Sequence, residues 1–247
     1  MVVKSKLESV HIDDLGNIFG ILRKHKLRLN VAKCSFGVSY GKFLGYMVTH
    51  HGIKVDPNQI KVNNNLQPPR NPKEVQKLTG MTVALNRFIS RSADRCKPFF
   101  QLLHKWKRFE WTEEFSSAFQ QLKEYLSRSS IMSKPEEDEV LFTYIVVTSH
   151  AVSLKLVRDE NGMQRLVYYM SKSLHEAKVR YLPLERVIMT VMHAIQKLPH
   201  YFQVHTIVVL TQLLRSLLRK ADYTGRVAKW ATILGAFDIK YLPLAPL

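Results

Sequence analysis

From residue 140 onward the chain falls into three successive strand-length runs, 140–147 (VLFTYIVV), 152–158 and 165–170 (RLVYYM). Runs of this length, rich in Val, Leu and Tyr and bounded by turn residues, read as strands. Asn161-Gly162 lies between the second and third runs. That pair accepts positive φ at both centres of a two-residue hairpin turn. The pattern then changes to that of a helix over roughly 183–197, returns to a strand in TIVVLT, and closes with two short helices and a last strand, FDIKYL. The order strand-strand-strand-helix-strand-helix-strand confines this half to a mixed α/β unit in which helices cover a sheet.

The preceding residues follow different rules. Over 9–28, Ile12, Leu15, Ile18, Phe19 and Leu22 recur at helical spacing, and the basic C-terminal end suits the helix dipole. The string CSFGVSYGKFLGYMVTHHGIKV alternates around Gly37, Gly41, Gly45 and Gly52, which reads as short strands in tight hairpins. Asp56-Pro57 and Pro68-Pro69 punctuate a short helix and a turn. Residues 72–91 predict one helix, with Pro72 in its first turn and Val75, Leu78, Val83, Leu85 and Phe88 on its apolar side. A second helix runs from about Ala93 to Lys105, and a third starts after a cap at Trp111-Thr112-Glu113-Glu114. The acidic stretch from Lys134 to Glu139 is the best boundary, or more simply a solvated loop. The expected divisions are 1–66, 67–130 and 131–247.

At 247 residues, 46% hydrophobic and 23% charged, the chain can bury one large or two ordinary cores. Its net charge of +17 favours a polyanionic partner such as nucleic acid. The excess is uneven: residues 1–130 hold 22 Lys+Arg against 10 Asp+Glu, and the remainder 15 against 10. Basic residues are interleaved with core residues and not stacked on one amphipathic anchor, which argues against a membrane surface. With Cys34 and Cys96 as the whole cysteine content, there is no disulfide framework and no Cys-based zinc site. No 18-residue apolar run exists and MVVKSKLESV lacks an apolar leader, so an intracellular location is expected.

The strings LRLNVAKCSFG, FLGYMVTHHGIKVDP, QPPRNPKEVQKLTGMTVALNRFISR, CKPFFQLL and FEWTEEFSSAF, in that order, resemble the Pol polyprotein of gypsy-type LTR retrotransposons, from the end of the reverse-transcriptase palm through the thumb. VYYMSKSL, RYLPLE, LPHYFQVHTIVVLT and GRVAKWATILGAFDIKY resemble the RNase H-like domain that follows. Val31, where the family usually has Pro, and Asn63-Asn64-Asn65 depart from the pattern without disturbing its order. The resemblance implies partial palm hairpins and a helical thumb, followed by a mixed five-stranded RNase H-like sheet with helices: an α+β, mixed α/β chain.

The resemblance also implies what is missing. RNase H chemistry uses two divalent cations about 4 Å apart, magnesium in this family, held by carboxylates. Matching AVSLKLV to the family places the first acid at Val146; matching Leu184-Glu185-Arg186-Val187-Ile188 places the helix acid at Val187, and the third, after the strand VVLT, at Gln212. Glu185 remains, but two residues along a helix is about 200° of rotation, away from the site. The fourth acid is expected beyond Leu247 and the polymerase Asp pair just before Met1. Asp13-Asp14 is no substitute for that pair, because it sits at the opening of a predicted helix and not on a hairpin. Asp159 and Glu160 read as solvated turn residues. His50-His51 and His200/His205 lack metal-ligand spacing. Ser149-His150 lacks an evident third orienting group.

The contact residues implied by the resemblance are Phe43, Gly45 and Tyr46 in the hairpin that steadies the primer end, and Gln76, Lys77 and Gly80 on the thumb helix. Lys73 and Arg87, with Arg91 and Arg95, could meet phosphates without reading bases. Gly80 within a helix costs about 1 kcal/mol relative to Ala, so something approaches closely: a ligand, or a second helix. Tyr168-Tyr169 and Trp230 read as core aromatics, and Tyr181 is open.

The expected function is therefore a catalytically inactive Pol fragment without cofactor, with weak, salt-sensitive affinity for an RNA–DNA hybrid or duplex. Other Pol segments are potential partners, and a degenerate first RNase H domain serving as a connection has precedent in some plant elements. Two alternatives stay open: an active RNase H with relocated metal ligands, and a host-adopted protein-interaction module.

Overall fold

A computed structural model describes residues 3, 5, 7–38, 40–43, 46–49, 51–104, 109–128, 131–211 and 226–242. The first helix, α1 (Glu8–Lys24), ends sooner than its apolar pattern suggests. Lys26 turns left-handed at φ 52°, which closes the helix over Arg23 and Lys24. None of its described side chains is buried, and Ile12 is 75% exposed. A single 3₁₀ turn, Val31–Lys33, leads to the first sheet.

That sheet is an antiparallel meander of β1 (Gly41–Phe43), β2 (Tyr46–Thr49) and β3 (Gly52–Val55). Gly52 is required where it stands. Its φ is +138°, and a Cβ there would lie 2.0 Å from the carbonyl oxygen of Met132. Met132 exchanges two 2.8 Å backbone hydrogen bonds with Ile53, so a residue far along the chain pairs with the edge of β3.

Helices follow. α2 (Pro57–Asn65) is capped by Asp56, whose carboxylate accepts from the Asn58 N–H and pairs with Lys42; these two contacts hold it below the usual carboxylate range. α3 (Pro72–Ala84) starts on a reciprocal box in which Glu74 N–H donates to Asn71 and Asn71 Nδ2 donates to Glu74. The single helix expected over 72–91 stops at Ala84. A 3₁₀ turn at Asn86–Phe88 and a left-handed Arg91 (φ 53°) redirect the chain. Leu85 and Phe88 are buried beyond the helix end, whereas Val83 is 53% exposed and lies off the core side.

The next expected helix is split into α4 (Ser92–Arg95) and α5 (Lys97–His104). Pro98 suits a first turn, so the helix restarts there. α6 (Glu113–Ser127) begins without the expected cap. Thr112 makes no side-chain bond; instead Trp111 Nε1 donates to Ser116, which bonds back to the Thr112 carbonyl. Trp111 also stacks on Phe99 and meets Phe119 edge-on, fastening α5 to α6.

The second sheet is built from β4 (Leu141–Val147), β5 (Ala151–Glu160) and β6 (Met163–Ser173). After these come α7 (Glu176–Val179), α8 (Pro183–Lys197), α9 (Pro199–Val204), β7 (Ile207–Leu210), α10 (Arg226–Leu234) and β8 (Ile239–Leu242). Strand order is β6-β5-β4-β7-β8, with β4–β7 and β7–β8 parallel and the other pairs antiparallel. Asn161 and Gly162 turn the β5–β6 hairpin at φ 54° and 80°. The first of the two expected short helices after β7 falls outside the described residues.

The stretch from Lys134 to Glu139 is not only a solvated loop. Arg158 pairs with Glu139 at 2.9 Å and donates to the Lys134 carbonyl. Buried residues from all three expected divisions join one cluster, running from Val55, Val75 and Phe99 through Leu126 to Leu156, Val187 and Val209. No helix among the described residues is long and apolar enough to cross a membrane.

Candidate nucleic-acid interface and the degenerate nuclease position

The parallel register of β4 and β7 brings their C-terminal ends to one edge of the sheet, and α8 packs against it. Val146 lies at that end of β4, 42% exposed. Val187 lies in the first turns of α8 and is 2% exposed, within the core. Gln212 lies outside the described residues. Glu185, the acid that survives beside Val187, accepts from the Leu182 backbone N–H and so closes the start of α8. Its carboxylate is engaged as a helix cap.

Arg186 occupies the space between these elements. Its guanidinium donates to the carbonyls of Thr148 (3.1 Å), Tyr181 (3.0 Å) and Val179. The end of β4 is thereby strapped to the start of α8 by a fixed positive charge, two residues from Val146. Two divalent cations need several anionic oxygens at this place. The described matched positions offer valines beside a guanidinium, and the one carboxylate among the described residues bonded to this end of β4, Asp94, is engaged by Arg91, Thr148 and His150. Among the described residues no three His, Cys, Asp or Glu side chains gather as a metal site. These residues do not fit the magnesium centre that the resemblance implies.

The third group missing from Ser149-His150 is supplied by Asp94. Its carboxylate meets His150 Nε2 at 2.9 Å, accepts from Thr148 Oγ1 at 3.1 Å and pairs with Arg91 at 3.0 Å; Ser149 Oγ lies 3.2 Å from His150 Nδ1. A Ser-His-Asp order alone is not a hydrolase site, which also needs a place for an acyl group and donors for its oxyanion. Ser149 is exposed on an open turn, and it, His150 and Asp94 line neither the cavity beside Lys155 and Arg158 nor the one beside Phe202 and Phe237. The arrangement works as a joint between α4 and the β4–β5 turn, reinforced where the Ala93 N–H donates to Ser171. Asp13 and Asp14 stand on α1, not on a hairpin.

On α3, Lys73, Gln76, Lys77 and Gly80 are all exposed. Their spacing of three, one and three places them along one helix face. A Cβ at Gly80 would meet nothing within 4 Å among the described residues, so no second helix among them explains that glycine. Tyr46 and Arg87 belong to a different contact. The Tyr46 hydroxyl donates to the Ala84 carbonyl at 2.8 Å, its ring packs on Phe88, and the Arg87 guanidinium lies between the rings of Tyr46 (5.1 Å) and Tyr168 (5.5 Å). Gly45 and the side chain of Phe43 lie outside the described residues. Arg95 covers Tyr125 at 4.4 Å, and Arg91 is held by Asp94. Tyr168 is buried in the core, and half-buried Trp230 and Tyr181 pack on each other.

Asp94 and Arg186 were invisible to sequence reasoning as structural ties. Both sit in stretches whose charge looks like ordinary surface, and their partners are backbone carbonyls or residues distant in the chain.

Residues 111–209 match the family described as "RNase H-like domain found in reverse transcriptase". Among curated relatives, the Retrovirus-related Pol polyprotein from transposon 297 of Drosophila melanogaster is 25% identical over 245 residues, covering 97% of this chain and 23% of that protein. The counterpart from transposon opus of the same fly is 26% identical, covering 98% and 26%. The Transposon Tf2-3 polyprotein of Schizosaccharomyces pombe is 24% identical, covering 98% and 19%. The chain thus spans about a quarter or less of the length of these relatives. Two solved structures share the fold at 18% identity, each over 99% of this chain. They are a foamy viral protease-reverse transcriptase in complex with dsDNA (TM-score 0.75, 53% of that chain) and one in complex with RNA/DNA hybrid (0.77, 34%). The chain carries, within residues 111–209, an RNase H-like domain of the reverse transcriptase family, and along nearly its whole length its homologues are retrotransposon Pol polyproteins.

Proposed function

We propose that this chain is a non-catalytic segment of a retrotransposon Pol-type protein that holds an RNA–DNA hybrid or duplex and does not cut it. The carrying observation is the exposed α3 face, where Lys73, Gln76 and Lys77 flank open space above Gly80. The two ammonium groups meet phosphates, and the bare Gly80 backbone admits the sugar edge of a groove. The two lysines contact phosphates and not base edges, so their share of the binding is sequence-independent and driven by counterion release. The solved foamy viral structures sharing the fold are complexes with dsDNA and with RNA/DNA hybrid, which supports this class of partner.

The silent chemistry follows from the nuclease position. Val146 and Val187 bring no charge, and the Arg186 guanidinium bonds the Thr148 carbonyl two residues from Val146, a neighbour that disfavours a bound cation. Fluorescence anisotropy of a labelled RNA–DNA hybrid between 50 and 200 mM salt tests the binding half. Affinity is expected to fall steeply with salt, and Lys73→Ala with Lys77→Ala to reduce the log–log slope by about 2. A slope unchanged by the pair would remove α3 from the interface, and an absence of binding would favour a protein partner.

A further inference from the structure

A second concentration of positive charge lies away from the α3 face, where the β6 edge, α7, α8 and the 3₁₀ turn after α3 converge. Tyr168 is its floor. The buried ring carries the Arg87 guanidinium at 5.5 Å and the Lys197 ammonium at 6.0 Å. His193 stands one turn before Lys197 on α8, and its Nδ1 lies 3.5 Å from Lys172 Nζ on β6. Lys178 on α7 completes the group, close enough to act on both Lys172 and His193.

These groups repel one another. Burial, then Lys172 and Lys178, hold His193 below its ordinary value; burial, then Arg87 and Lys172, do the same for Lys197. Among the described residues no carboxylate pairs with any of them, although Glu139, Glu160, Asp56 and Asp94 each pair with a cation elsewhere. His193 also meets Gln196, a neutral side chain that brings no counter-charge. A fold that gathers cations without an internal counter-ion is matched by an anion from outside.

We propose that Arg87, Lys172, Lys178 and Lys197 form a second phosphodiester contact, which continues the track of the α3 face across the β6–α8 ridge. Arg87 follows the last residue of α3 by three positions, which joins the two patches along the chain. The thirteen residues of α3 alone span about 20 Å, longer than any single phosphate and suited to a backbone whose charges recur every 3.4 Å or so along each strand. This contact rests on the duplex-holding reading and extends it.

The test is the double variant Lys172→Gln, Lys197→Gln in the full chain, titrated with the RNA–DNA hybrid across the salt series and melted without ligand. The salt slope is expected to fall by about 2. The melting temperature is expected to hold or rise, because like-charge repulsion is relieved; a merely structural role would lower it. The charge-keeping pair Lys172→Arg, Lys197→Arg should retain the wild-type slope. Wild-type binding that depends on Lys73 and Lys77 but is indifferent to Lys172 and Lys197 overturns this contact alone. No wild-type binding at any salt overturns both readings. Inorganic pyrophosphate that raises the wild-type melting temperature while the double variant keeps the wild-type hybrid slope would mark a small-anion site, and would also overturn it.

Discussion

Gly80 shows how one residue can separate a structural role from a ligand-facing one. In a helix it costs about 1 kcal/mol against alanine, and the sequence leaves two reasons open. Among the described residues, open space around its Cβ position removes helix packing as the reason. Gly80→Ala should therefore stabilise the fold by about 0.5–1 kcal/mol in chemical denaturation while weakening hybrid binding. Loss of stability would mean that a neighbour is displaced after all. His193 carries a second residue-scale expectation. Its pKa lies below 6.5 in the folded chain, so below about pH 6.5 the unfolded chain takes up a proton that the folded chain refuses. Stability should fall as pH drops through that value towards the folded pKa, and His193→Gln should flatten the loss in a melting series from pH 8 to 5.

At the scale of elements, the strands and α8 were legible because their pattern agrees with their burial. β4, β5, β6 and α8 stand close to where strand-length runs and helical spacing put them. The helices from 72 to 104 were not so legible. Apolar residues continue past Ala84, but Leu85 and Phe88 reach the core from a 3₁₀ turn, and Pro98 restarts what reads as one helix. The residues standing at the matched nuclease positions can be read from a string, whereas the Arg186 strap depends on carbonyls that only folding brings together. The pairing of β3 with Met132 is likewise long-range, and it tests directly. Gly52→Ala forces a Cβ to within 2.0 Å of the Met132 oxygen at a φ that alanine resists. The expected cost is about 2 kcal/mol or more by urea denaturation, with loss of hydrogen-exchange protection at Ile53 and Met132. An unperturbed variant would place the segment around Met132 elsewhere.

Across the whole molecule, charge and packing point the same way. The net +17 is not spread as a uniform coat: it includes an exposed α3 face and a cation cluster over Tyr168, while Arg186 closes the end of the RNase H-like sheet. The fold is shared with foamy viral protease-reverse transcriptases, and in the proposed function the two cationic surfaces hold nucleic acid. Incubating the full chain with an RNA–DNA hybrid labelled on its RNA strand, in magnesium and with or without chelator, reads both properties at once. The account expects a retarded hybrid whose RNA strand stays intact in either condition. RNA cleavage that requires magnesium and stops with chelator would contradict it.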